Sequence, residues 1–309
     1  METTLDRKTN SRIFSLRISD IKKNKINLLH KYLILCLLGT SLPFFCSAQE
    51  DYKKVTEQRA MLNLNLERIE IKRVIANLFE NESNNNLIQN ELSKANLALM
   101  TFNENYPDRY FSELGPEKSI QVKQIEADFR TNHRTEIYKW EMIKTLENKY
   151  NEILGQWINI ENTIQKRSDI IPNLIVSIRN DEVFLANEQS SIGNIIEIRS
   201  RITMTEISKH SFYAVNSNNL KIYQEIIRSL DTATESLIII ANKSSIIRNN
   251  SDFQNWKSQY IKNVTDMNNE GKKYNLLVGS YKLLADKLRP EYNFPIKPLF
   301  FVKQESNKK

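Results

Sequence analysis

The sequence predicts an all-α fold: an elongated antiparallel helical bundle containing one long coiled-coil-like helix. Three observations lead there. Only 6 glycines and 7 prolines occur in 309 residues, too few to punctuate many strands and hairpins. Apolar residues recur at steps of three and four over long distances, which places them on one helix face. The longest such stripe starts after Pro116 with Ile120, Val122, Ile125 and Phe129. It continues through Ile137, Trp140, Ile143, Tyr150, Leu154, Trp157, Ile160 and Ile164. A mean step of about 3.5 residues predicts a slightly supercoiled helix.

The elements follow in order. Residues 51–82 read as an amphipathic helix carrying Leu62, Leu66, Ile69, Val74 and Leu78. A polar turn at 80–86 leads to a second helix over 87–104, with Ile88, Leu92, Ala95, Leu99 and Phe102 inward and a stop at Tyr106 and Pro107. The turn at 112–117 opens the long helix, with Pro116 in its first turn, where a missing N–H costs nothing. Further on, the pattern runs straight through Pro172. A proline inside a helix removes a hydrogen bond and clashes with the preceding turn, at about 3 kcal/mol. Packing of Ile170, Ile171 and Leu174 on both sides of it must hold the resulting kink. The periodicity weakens at 179–181 and resumes over 192–207, with a turn at 216–219. Helices over 220–248 and 252–289 complete the bundle, the latter with Ser251 or Asp252 available as N-cap. Pro290, Pro295 and Pro298 end the helical part. The aromatic tail with Tyr292, Phe294, Phe300 and Phe301 is expected to lie back across the bundle as a lid, the alternative being that it docks on a membrane or another subunit.

The N-terminus reads as a targeting segment. Residues 1–31 carry eight basic side chains against Glu2, Asp6 and Asp20, followed by an apolar run at 32–46 and the small residues Ser47 and Ala48. This is the order of a secretory signal peptide, cut after Ala48, with an uncleaved signal anchor as the alternative. The run is shorter than the roughly 20 residues of a spanning helix. Charge must be counted without it. The full chain is +7, but residues 49–309 hold 36 basic against 34 acidic residues, about +2. The basic excess therefore belongs to the targeting segment, and no nucleic-acid partner is implied. Both cysteines, Cys36 and Cys46, lie there too, which leaves the exported chain without disulfides or a thiol nucleophile.

No phosphate-cradling glycine loop, nucleophile elbow or zinc-binding helix motif occurs. Catalytic, cofactor-binding and metal-binding residues are accordingly assigned to none. His133 with Glu136 has the helical spacing used in bundle di-iron sites, but such sites need two such pairs. His133 is read instead as a packed seam residue. Asn81, Asn242, Asn249 and Asn263 head glycosylation triplets, as chance provides in so asparagine-rich a chain. Lys166, Arg167 and Asp169 read as a surface ion-pair cluster, with an anchoring point for a partner or lipid head group as the alternative.

From about residue 148 to 302 the chain resembles the LemA family of bacterial envelope proteins. The resemblance rests on Tyr150 and Asn151, on Trp157, on the basic pair Lys166 and Arg167, and on Asp169 leading into Ile171, Pro172, Asn173 and Leu174. Downstream it rests on Tyr274 and Asn275, then on Phe294 and Pro295 and the pair Phe300 and Phe301. Ser168 and Ile170 depart from the usual wording of the first motif, and about a hundred extra helical residues precede the tyrosine–asparagine. The resemblance implies an all-α antiparallel bundle outside the cytoplasmic membrane, no known enzymatic activity and no catalytic residues. The expected organisation is a signal segment (1–48), an additional helical region (49–147), a LemA-like bundle (148–302) and a disordered tail (303–309). The expected role is a non-enzymatic adaptor or scaffold of the cell envelope or periplasm, partnered by envelope or membrane proteins. Its motif residues would form the partner surface. The alternative is a membrane-active helical protein that binds or remodels bilayers.

Overall fold

A computed structural model describes residues 51–80, 84–179 and 181–302 of the chain. The expected signal segment, both cysteines, Asn81 and the tail 303–309 lie outside the described residues. Two compact units divide the chain, Met1–Lys54 and Val55–Lys309. Of the first, only residues 51–54 are described, within the first helix. The second is all-α, with no strand among the described residues.

The helices are α1 (Asp51–Leu78), α2 (Asn85–Asn105), α3 (Asp108–Ser112), α4 (Pro116–Asn132), α5 (Arg134–Ile178) and α6 (Glu182–Thr203). They continue with α7 (Glu206–His210), a 3₁₀ turn (Ser211–Ala214), α8 (Ser217–Ala241), α9 (Ser245–Arg248) and α10 (Ser251–Leu288). The main pairings are α5 with α10 and α6 with α8. Residue pairs fix their directions. Gln156 meets Glu270 and Lys139 meets Glu291, so α5 and α10 are antiparallel. Tyr260 meets Asp231 and Lys257 meets Asn242, just past the end of α8, so α8 and α10 are antiparallel as well. Trp157, Ile160, Ile164, Ile171 and Leu174 of α5 are all buried, and the inward stripe is the one the spacing predicts. Residues 147 and 148 are consecutive within α5, so the expected boundary between additional region and bundle falls inside one helix.

The helix expected to start at Pro116 is two helices, and the reason is His133. Its ring Nδ1 lies 2.9 Å from the Phe129 carbonyl, which the His133 N–H also approaches at 3.3 Å. That N–H is shared with the Arg130 carbonyl at 3.2 Å, so the turn tightens and α4 ends. On α4, Val122 is buried and Phe129 packs against the core, but Ile120 is 69% exposed, so the first part of the predicted stripe faces inward only in part. The helix expected over 220–248 ends at Ala241, and Ser244 then caps the short α9. Neither Ser251 nor Asp252 caps α10. Asn250 does, its Oδ1 accepting from the N–H groups of Asp252 (2.8 Å) and Phe253 (3.2 Å).

α5 runs through Pro172 to Ile178. Pro172 has no N–H to give the Ser168 carbonyl one turn back. Arg199 of α6 supplies the missing donor: its Nε reaches the Ser168 carbonyl at 2.9 Å and the Ser168 hydroxyl at 3.1 Å. The proline and the arginine are thus one device, which docks α6 on α5. Arg199→Met is expected to cost about 1–2 kcal/mol in the native chain. In a Pro172→Ala background, where the restored amide satisfies Ser168, the same change costs close to nothing. A double-mutant cycle by urea unfolding reads the coupling, and equal costs in both backgrounds would refute it.

No helix among the described residues is long and apolar enough to cross a membrane. The apolar run at 237–241 is largely spent on the core, since Leu237, Ile238 and Ala241 are buried and only Ile239 is well exposed.

Candidate functional site

Half of the family-like motif residues, Trp157, Arg167, Ile171, Leu174, Tyr274 and Phe294, lie in the interior. Trp157, fully buried on α5, lies between Tyr274 of α10 (ring centroids 5.7 Å), Tyr223 of α8 (6.4 Å) and Phe300 of the C-terminal strap (6.2 Å). The strap, residues 292–302, is held by side chains presented from α10. Asn275 imitates a backbone partner: its Oδ1 accepts from the Phe300 N–H at 2.7 Å, and its Nδ2 donates to the Phe300 carbonyl at 2.7 Å. The Tyr274 hydroxyl donates to the Pro298 carbonyl at 3.2 Å. Lys297 pairs with Glu80 at 2.7 Å and donates to the Phe212 carbonyl. Gly271 makes room: a Cβ there would stand 2.7 Å from Phe300 Cδ1. The expected lid is therefore present, with Phe300 buried and Phe301 half exposed beneath the Arg228 guanidinium, 3.7 Å from its ring centre.

Arg167 is the main departure from expectation. It is not a surface ion-pair member with Asp169 but has no exposed side-chain area, and its Nη1 lies 2.9 Å from Asp231 Oδ1 on α8. The Tyr260 hydroxyl of α10 donates to the same carboxylate at 2.9 Å. Burying a guanidinium is costly unless it is paired, so this triad fixes the mutual register of α5, α8 and α10 more than it adds stability. Arg167 Nε and Nη2 are buried without a protein acceptor among the described residues. Spacing could have found this: Trp157, Ile160, Ile164, Arg167, Ile171 and Leu174 step by three and four, so Arg167 occupies an inward position. Lys166 and Asp169 stay exposed, Asp169 accepting from Gln165 at 2.7 Å.

The motif set therefore divides. Trp157, Arg167, Ile171, Leu174, Tyr274 and Phe294 are buried. Lys166, Asp169, Pro172, Asn173 and Pro295 are exposed, and Asn275 is half-buried in its work on the strap. The structure does not gather the exposed ones into one surface with the buried ones. His133 stacks on Phe129 at 4.6 Å, and Glu136 is engaged by Arg68 at 2.9 and 3.1 Å, so the pair is used in helix packing.

Five tyrosines are held protonated. Burial pushes the hydroxyls of Tyr150, Tyr223, Tyr260, Tyr274 and Tyr281 well above the usual phenol range, reinforced at Tyr150 by its bond to Glu80 and at Tyr260 by the Asp231 charge. A pKa raised on folding contributes stability that is complete below the unfolded value and is lost as pH rises past it. The bundle is thus expected to weaken above about pH 10. In an ultraviolet tyrosinate titration these five ionise only together with the loss of helix signal. Their smooth titration with the helix intact would contradict this.

Residues 156–292 match the model of the LemA family. The matched span begins just before Trp157 and ends at Tyr292, inside the range of the resemblance, with Tyr150, Phe294 and Phe300 beyond it. No curated protein and no solved structure matches the chain. The matched part contains Arg167, Pro172, Asp231, Tyr260, Tyr274 and Asn275, the residues that lock the bundle: over residues 156–292 the chain is similar to the LemA family.

Proposed function

We propose that the chain is a non-enzymatic, exported helical-bundle protein of the bacterial cell envelope, acting as an adaptor or scaffold. The match to the LemA family over residues 156–292 supports the setting. One observation supports the mode of action. The inner face of α10 is spent on α5 and the strap through Tyr274, Val278, Tyr281 and Ala285. Its opposite face carries Leu276 and Leu283, 73% and 69% exposed, one heptad apart. Between them Gly279 leaves open space where a Cβ would stand. Two leucines flanking a small residue are knobs beside a hole, the pattern into which a second helix packs. The partner is therefore an apolar-striped helix of another envelope protein.

The test is cross-linking in intact cells followed by purification of the adducts. Leu276→Ser with Leu283→Ser is expected to remove the cross-linked species while thermal unfolding and export stay as in the wild type. Retention of the same adducts by the folded double variant would sink the reading.

A further inference from the structure

The charges beside Leu276 and Leu283 select the kind of helix that fits them, an inference that rests on the α10 face described above. With the two leucines at equivalent heptad positions, Gly279 falls at the other core position of the seam, three residues after Leu276. The edges of such a seam are then Lys273, Ser280 and Lys287 on one side and Asn275, Lys282 and Arg289 on the other. Four of these six are cations and none is an acid. All four cations are exposed. Two are partly neutralised at home, Lys273 by Glu270 at 2.8 Å and Arg289 by Asp286 at 3.7 Å. Lys282 and Lys287 are in no ion pair among the described residues. Within the seam itself Lys272, one heptad before Gly279, adds a further cation, and Asp286, one heptad after it, is the acid that Arg289 holds.

We infer that the segment received by this face is an acidic amphipathic helix: apolar residues at heptad spacing, edged by Glu or Asp. Its apolar residues pack on Leu276 and Leu283 and fill the space at Gly279, while its carboxylates meet Lys282 and Lys287 at the edges. Edge charges of one sign choose the partner, because they attract the opposite sign and repel their own. A second copy of this chain is thereby disfavoured. Two α10 seams laid together set cation against cation at their edges, whether the helices run parallel or antiparallel. A bilayer is disfavoured for another reason: membrane binding grows with the apolar area inserted, and two leucines among lysines offer little.

The experiment is fluorescence anisotropy of two labelled synthetic helical peptides titrated with the full chain. Both carry one leucine–alanine heptad seam; one has Glu at every edge position, the other Lys. The Glu peptide is expected to bind more tightly by about tenfold or more at low salt, with the gap narrowing as salt screens the edges. Lys282→Glu with Lys287→Glu, both at exposed positions, inverts the preference while circular dichroism and thermal unfolding stay as in the wild type. Leu276→Ser with Leu283→Ser removes binding of the Glu peptide. Equal binding of the two peptides, both dependent on the leucines, would leave the α10 face standing and overturn the charge assignment. Binding of the Glu peptide that ignores the leucines would overturn the face and this inference together. So would a leucine-dependent dimer of the chain, or leucine-dependent capture by phosphatidylglycerol vesicles that the Glu peptide does not compete away, overturn the acidic helix as occupant.

Discussion

Replacing Asp231 by alanine is expected to destabilise the bundle by about 3–5 kcal/mol, the cost of leaving a buried charge without its partner. Arg167 has no exposed side-chain area, and its Nη1 is the nitrogen satisfied by this carboxylate. Removing Asp231 strands that charge and the Tyr260 hydroxyl together. The combined variant Arg167→Met, Asp231→Leu and Tyr260→Phe is expected to recover most of the loss, because a well-packed apolar replacement for a buried ion pair is often neutral or stabilising. Urea unfolding of the wild type, the single variant and the triple variant decides this. If the single change costs less than about 1 kcal/mol, within the range of exposed pairs, the triad is not the register lock described above.

The second large effect lies at the strap. Phe300→Ala is expected to cost about 3–5 kcal/mol, since the ring is buried against Trp157 and Gly271. Gly271→Val should act at the same place from the other side, because the added side chain occupies the position of the Phe300 ring. In both variants the Phe300 amide, which donates to Asn275, should exchange with solvent much faster than in the wild type, while α5 amides near Ile143 and Leu146 remain protected. Hydrogen exchange read by mass spectrometry reports both at once. Uniform loss of protection would mean that the strap is an integral part of the fold rather than a closure on it.

Much of this was legible in the sequence, for stated reasons. The stripe on α5 is periodic, and periodicity is a local property, so Trp157, Ile160, Ile164 and Leu174 could be placed inward before any contact was known. The lid was legible because prolines end the helices and aromatic residues need somewhere to go. What spacing cannot supply is a partner distant in the chain. Asp231 lies 64 residues from Arg167, and nothing local to Arg167 names it. Lys166 and Asp169 beside it suggested a surface cluster, although its own inward step pointed the other way. Pro172 announced a problem for α5, but its solution, Arg199, sits on another helix. The break at His133 was hidden for a different reason: a histidine fits an apolar stripe, and its ring competes for the Phe129 carbonyl only once the helix has formed.

One comparison bears most directly on the claim that the buried half of the family-like motif closes the interior while an outer helix face does the binding. It measures cross-linked partner yield in cells for two folded variants, one changing Leu276 and Leu283 to serine, the other carrying the apolar replacement of Arg167, Asp231 and Tyr260. The account predicts that the first loses the partner and the second keeps it. Loss of the partner from the second variant, with retention by the first, would contradict it.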